Sequence, residues 1–187
     1  MDEFNTSPQV PFRGLYDWMQ SIVMVFLAVI FLLTFVGQTM AVQQESMTPT
    51  LLEGDRMIVR SIFYTPERGD VVIFARHDFE DGAALVKRVI ALAGDTVAID
   101  TAAGIVYVNG IAQPDDFTNT PTNMGGDMPP YPAALTVPPG HVFVIGDNRN
   151  HSMDSRHTVI GPVDEREIIG QVVAVIMPFN RAGFLSD

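Results

Sequence analysis

The chain contains no cysteine, which removes disulfides, thiolate metal ligands and a cysteine nucleophile from consideration. It is also poor in positive charge: 11 basic residues against 22 acidic ones leave a net charge of −11. A nucleic-acid binder needs a basic face to neutralise phosphates, so that class is excluded. Lysine is almost missing, because every basic residue except Lys87 is an arginine. Beyond residue 46 no helical period of useful length occurs. What is plentiful is apolar: 47% of the 187 residues are hydrophobic, and the mean hydropathy of +0.20 is high for so acidic a chain.

The apolar surplus is concentrated near the N-terminus. Between Asp17 and Glu45 no residue is charged, and the centre reads Ile22-Val23-Met24-Val25-Phe26-Leu27-Ala28-Val29-Ile30. About 20 such residues in a helix cross a hydrocarbon core of roughly 30 Å. Tyr16 and Trp18 stand where interfacial aromatic anchors belong. The leader carries Asp2, Glu3, Arg13 and Asp17, unlike the basic start of a cleavable signal peptide. The chain therefore reads as a short tail (1–17), a retained transmembrane anchor (18–44) and one catalytic-sized domain (45–187). With only Arg13 before the span and Arg56 as the first basic residue after it, the loop-charge rule does not set the orientation.

The domain reads as mainly β, an antiparallel sheet or barrel-like fold. Short β-branched runs occur at 57–59, 71–74, 85–92, 96–99, 105–108, 142–145 and 168–177, punctuated by Gly-Asp pairs at 54–55, 69–70, 94–95 and 146–147. Asp100 to Gly104 reads as a hairpin connection, and the proline-rich stretch 114–140 as a surface loop.

Lys87 lies in the apolar strand Ala84-Leu85-Val86-Lys87-Arg88-Val89-Ile90, where alternation sends Lys87 and Arg88 to opposite faces, one inward and one to solvent. A buried lysine can lose its proton and act as a base, which an arginine cannot. Among hydroxyl nucleophiles the run Ser46-Met47-Thr48-Pro49-Thr50-Leu51 stands out, directly after the span. A Ser-His-Asp triad lacks its Gly-x-Ser-x-Gly elbow. Asp147, His151, Asp154 and His157 have helical metal-ligand spacing, but Gly146-Asp147-Asn148-Arg149 reads as a turn, so no metal and no cofactor is expected.

With these residues in order, the chain resembles the bacterial type I signal peptidases, the Ser/Lys leader peptidases, in their short Gram-positive-like form. The likeness runs from the anchor to about Met177. It rests on Ser46 to Leu51, on Gly54-Asp55-Arg56-Met57-Ile58-Val59, on Val86 to Ile90 with Gly94-Asp95, and on Gly146 to Arg156. The resemblance implies that Ser46 is the nucleophile and Lys87 the general base, with Ser152 orienting the lysine. Asp154 and Arg156 would support the site as an ion pair. The Ser46 backbone N–H, with Gln44 in place of the family's usual serine or glycine, would face the oxyanion. Val42, Met47, Leu51, Leu85 and Val86 would line shallow pockets for an extended substrate. The implied activity is removal of signal peptides from exported preproteins, with small residues at positions −1 and −3. The implied enzyme is a monomer, single-pass in the plasma membrane, its partners preproteins and the lipid bilayer, with the catalytic domain on the extracytoplasmic side.

Four positions depart from the family pattern: Gln44, Glu45 beside the nucleophile, and Ala91 and Ala93 before Gly94-Asp95. Glu45 is expected to point away from the cleft, since a carboxylate there would hold the lysine charged. Two rival readings are a self-cleaving repressor-type Ser/Lys protein, which would carry a DNA-binding helical domain, and a non-catalytic, membrane-tethered β binding domain.

Overall fold

In the computed structural model, which describes residues 13–35, 38–41, 45–76, 79, 83–114, 116–118 and 120–185, the uncharged N-terminal run divides into two elements. Helix α1 covers Arg13–Phe35 and strand β1 covers Gln38–Ala41. The side chains described in α1, positions 14 to 30, are all exposed, so none of the described residues covers their apolar surface. Among the described residues no helix is long and apolar enough to cross a membrane. The expected 18–44 anchor takes in most of α1 and all of β1. The helix begins earlier, and the run leaves it before residue 38 because Gln38–Ala41 pairs antiparallel with the next strand, Gln38 opposite Val59 and Ala41 opposite Arg56.

The β-branched runs all become strands, as side chains stiff at χ1 favour a pleated, half-buried surface. They are β2 (Arg56–Arg60), β3 (Val71–Ala75), β4 (Ala84–Ala91), β5 (Thr96–Asp100), β6 (Ile105–Val108), β7 (Ile111–Ala112), β8 (Leu135–Thr136), β9 (His141–Ile145), β10 (Val163–Asp164), β11 (Ile168–Met177) and β12 (Gly183–Phe184). One sheet has the order β1-β2-β11-β3-β4-β9-β10 with β12 on β11, and the other β7-β6-β5-β8. Every ladder is antiparallel. The mainly antiparallel β architecture is as read from the sequence, built as two sheets whose strand paths have free ends.

Three Gly-Asp pairs work alike. Asp55, Asp70 and Asp95 accept a hydrogen bond from the backbone N–H three residues earlier, at Leu52, Glu67 and Leu92, while the preceding glycine takes a positive φ. The aspartate closes the turn that the glycine permits, and the next strand starts at once. Three apolar clusters form the core, and only the second joins residues of both sheets. The first joins Met47 and Leu51 to Met57, Val59, Val71, Ile73, Val172 and Val175. The second lies between β5–β6 and the β4–β9 pair, and the third beneath β3, β4 and β9.

The stretch 114–140 is more than a surface loop. It contributes β8 to the second sheet, and its Thr122 is fully buried against Arg149. Buried arginine guanidinium groups need partners, and this loop supplies several of them.

Gly170 sits at a register shift of β11 against β3, where a Cβ would come within 2.6 Å of the Arg60 carbonyl oxygen and 2.8 Å of Val59 Cγ1. Gly170→Ala should therefore cost about 1–3 kcal/mol by overpacking. A thermal unfolding midpoint unchanged from wild type would contradict the tight β2–β11 approach.

Candidate active site

Ser46 occupies one turn of 3₁₀ helix, Glu45–Met47, that follows β1. The turn is held from beneath by Met47 and Leu51 in the first apolar cluster, and by Leu51 N–H donating to the Met47 carbonyl at 2.9 Å. Lys87 stands within β4 at 1% exposure, and Ser46 is 7% exposed. Lys87 Nζ and Ser46 Oγ lie 2.8 Å apart, and Nζ also reaches the Val86 carbonyl oxygen at 3.0 Å.

The opposite side of the Ser46 turn is held by the loop after β9. Asn148 N–H donates to the Ser46 carbonyl oxygen at 3.0 Å, and Asn148 Nδ2 to that of Glu45 at 3.1 Å. Gly146 allows this approach: a Cβ there would lie 2.5 Å from the Ser46 carbonyl oxygen and 2.2 Å from Ser152 Oγ. Asn148 is not singled out by the sequence. Its only signal there is membership of the Gly-Asp-Asn-Arg run.

Arg88 overturns one expectation. Alternation does part it from Lys87, but it does not face solvent: it is 5% exposed. Its guanidinium grips Asp147 through Nε at 2.9 Å and Nη2 at 2.8 Å, donates to the Gly69 carbonyl at 2.7 Å, and stacks over the Phe117 ring. Asp147 also accepts from Thr50 Oγ1 at 2.5 Å. One buried ion pair thereby joins the segments that carry Ser46, Lys87 and the β9 loop. A bidentate pair has both the geometry and the charge to offset its own desolvation.

Asp154 and Arg156 form the expected ion pair, with Nε 2.8 Å and Nη2 2.9 Å from the carboxylate oxygens and both side chains buried. Asp154 also accepts from the Gly146 N–H at 3.0 Å, and Arg156 donates to the Met124 carbonyl at 2.6 Å. Burial alone would raise the Asp154 carboxyl pKa, but the Arg156 guanidinium and the Gly146 N–H outweigh it and hold the pKa below the ordinary aspartate value.

Ser152 comes to the same place but makes no hydrogen bond to Lys87. Its buried hydroxyl packs over Gly146 and lies close enough to Asp154 to favour the ionised carboxylate, without meeting strict hydrogen-bond geometry to any described atom. Of the expected pocket residues, Met47 and Leu51 are buried in the first cluster, with Val86 packed against it. Leu85 belongs instead to the third cluster, with Val72, Phe74 and Val144, because alternation along β4 separates it from Val86. Val42 and Gln44 lie outside the described residues. Glu45 is exposed. Asp147 and Asp154, read from spacing as possible metal ligands, each hold an arginine, and among the described residues no three acidic or histidine side chains gather as a ligand set.

Residues 15–177 match the model of the family "Signal peptidase, peptidase S26". The chain is 36% identical over 162 residues to a probable signal peptidase I-1 of Synechocystis sp., covering 82% of this chain and 78% of the relative. It is 34% identical over 182 residues to a signal peptidase I of Bacillus licheniformis, covering 90% of this chain and 92% of the relative. A crystal structure of a signal peptidase I from Enterococcus faecalis V583 aligns at 28% identity over 58% of this chain and 97% of that one, with a TM-score of 0.45. The chain belongs to the peptidase S26 signal peptidase family.

For a signal peptidase, which hydrolyses peptide bonds, the arrangement supplies a hydroxyl, an amine in contact with it, and a rigid surround. Asp154→Asn should destabilise the fold by about 3–5 kcal/mol, because it leaves Arg156 buried without its counter-charge. The depressed Asp154 pKa carries a sign: its stabilisation is complete above the ordinary aspartate value of about 4 and is lost as pH falls below it. Urea unfolding of wild type and variant across that acidic window tests both points. A gap between the two that does not narrow on acidification would contradict the assignment.

Proposed function

We propose that this signal peptidase cleaves signal peptides from exported preproteins by a Ser46/Lys87 dyad. The observation that carries the reading is the 2.8 Å contact between a serine hydroxyl and the buried amine of the chain's only lysine. Burial favours the neutral amine, whose lone pair accepts the hydroxyl proton while an N–H donates to the Val86 carbonyl oxygen. Ser46 Oγ then attacks the scissile carbonyl, and the protonated lysine returns the proton to the leaving amine; water deacylates the ester by the same route. The Ser46 N–H, with Gln44, faces the oxyanion.

Ser152, Asp154 and Arg156 act as supports of the dyad. The signal peptide lies extended beside Val42 to Glu45 and Ala84 to Val86, with small residues at −1 and −3 against Met47, Leu51 and Val86; Leu85 supports that strand from its other face. The enzyme is a monomer held by a single N-terminal span, its helical part α1, with the β-domain on the extracytoplasmic side. The uncharged run from Trp18 to Gln44 and the uncovered apolar surface of α1 support the anchor.

Lys87→Arg should be as inactive as Lys87→Ala, each losing on the order of 10⁴-fold in kcat, since a guanidinium cannot shed its proton. The test is incubation of the detergent-solubilised protein with a preprotein, followed by sequencing of the new N-terminus. Near-normal cleavage by the folded arginine variant would remove the dyad. Activity should also rise with pH as the lysine loses its proton, and that rise should survive single replacement of His77, His141, His151 and His157. Loss of cleavage from one histidine replacement, with the fold intact, would favour a histidine base.

A further inference from the structure

Beside the Ser46 turn lies a hollow of about 610 Å³ whose lining includes Glu45, Thr48, Glu53, Asn148, Asn150 and His151. That size falls within the range of ligand-binding clefts. One wall is the turn itself. Thr48 N–H donates to the Glu45 carbonyl at 3.1 Å, and side chains three apart in a 3₁₀ turn eclipse one another. Glu45 and Thr48 thus share one face, while Met47 enters the first apolar cluster. No described residue of β4 lines the hollow, which places it on the side of the turn away from the lysine strand.

The walls are braced. Asp55 accepts the Leu52 N–H at 2.9 Å and holds Arg181 at 3.1 Å, and Arg181 also donates to the Thr50 carbonyl at 3.2 Å. The segment carrying Glu53 is therefore tied down on both sides. Asn150 accepts the Asn123 N–H and donates to the Pro121 carbonyl, each at 3.0 Å, which fixes it to the proline-rich stretch. The charge is one-sided. Glu45 and Glu53 are exposed, and no ion pair among the described residues includes either. None of the described lining residues is a lysine or an arginine.

We propose that this hollow receives the first residues after the cut, and that Glu45 and Glu53 make it select a basic or neutral start of the mature chain over an acidic one. The inference rests on the Ser46/Lys87 reading, in which the residues before the cut run beside β4 and against Met47 and Val86. A chain that crosses Ser46 leaves on the face that β4 does not supply, and two further residues carry it about 7 Å, into the hollow. A lysine there meets two carboxylates, whereas an aspartate meets like charge. An exposed ion pair is worth up to about fivefold, so exchanging attraction for repulsion gives roughly tenfold.

The test gives the detergent-solubilised full chain three preproteins that differ only at positions +1 and +2, both Lys, both Gln or both Asp. Wild type should cleave the Lys form about tenfold better than the Asp form in kcat/KM, with the Gln form between them. Salt at about 1 M, where the screening length is about 3 Å, should bring that ratio close to one. Glu53→Gln should narrow the ratio, Glu53→Lys should erase or reverse it, and Glu53→Asp should keep it. The Gln form is the reference for each variant, so a general loss of activity cancels. A Lys-to-Asp ratio that is the same in wild type and Glu53→Lys, or that salt leaves unchanged, overturns the subsite and leaves the dyad standing. Cleavage by Ser46→Ala as fast as by wild type overturns the dyad and the subsite with it.

Discussion

A lysine amine buried in a β-strand 2.8 Å from a serine hydroxyl is the contact around which the rest of the molecule is arranged. An ammonium in that position would suffer a desolvation cost that the neutral amine avoids, so burial favours the protonation state that the proposed dyad needs. The requirement is demanding. The strand must be covered well enough to dry the lysine, yet the nucleophile turn must stay open enough to admit a peptide. Met47 and Leu51 cover it from beneath, and the segment that follows β1 brings Ser46 to its edge.

Two buried arginine–carboxylate pairs hold that geometry. Arg88–Asp147 joins the lysine strand to the β9 loop, with Thr50 of the nucleophile segment bonded to the same carboxylate. Asp154–Arg156 closes that loop on itself and ties it to the proline-rich stretch through the Met124 carbonyl. Phe117 of that stretch lies under the Arg88 and Arg149 guanidinium groups. Charges are used where apolar packing would not fix direction, because a bidentate guanidinium sets both distance and plane.

The strands were legible because β-branched runs and Gly-Asp turns are local signals, and the turns repeat one mechanism at Asp55, Asp70 and Asp95. Lys87 stood out by scarcity and Ser46 by its place after the apolar run, and the structure brings the two side chains into contact. Long-range pairing was not legible. Alternation put Arg88 on the face away from Lys87 but could not tell that Asp147, distant in sequence, would bury it. The same alternation removes Leu85 from the apolar cluster shared by Val86 and Met47, a consequence visible only once the faces of β4 are assigned. The strand Gln38–Ala41 was not legible, because it is as uncharged as the run before it and only pairing with β2 makes it a strand. Asn148 gave no sign of its two bonds to the nucleophile turn, which depend on tertiary approach over Gly146.

Because Lys87 is the chain's only lysine, its protonation can be read directly. Protein grown with lysine labelled at Cε and Nζ gives a single side-chain resonance, which can be titrated in micelles alongside the cleavage rate. The account predicts a neutral amine across the pH range of full activity, with the chemical-shift titration and the rise in kcat sharing one midpoint below that of free lysine, about 10.4. A resonance that stays that of an ammonium throughout the active range would contradict Lys87 as the base.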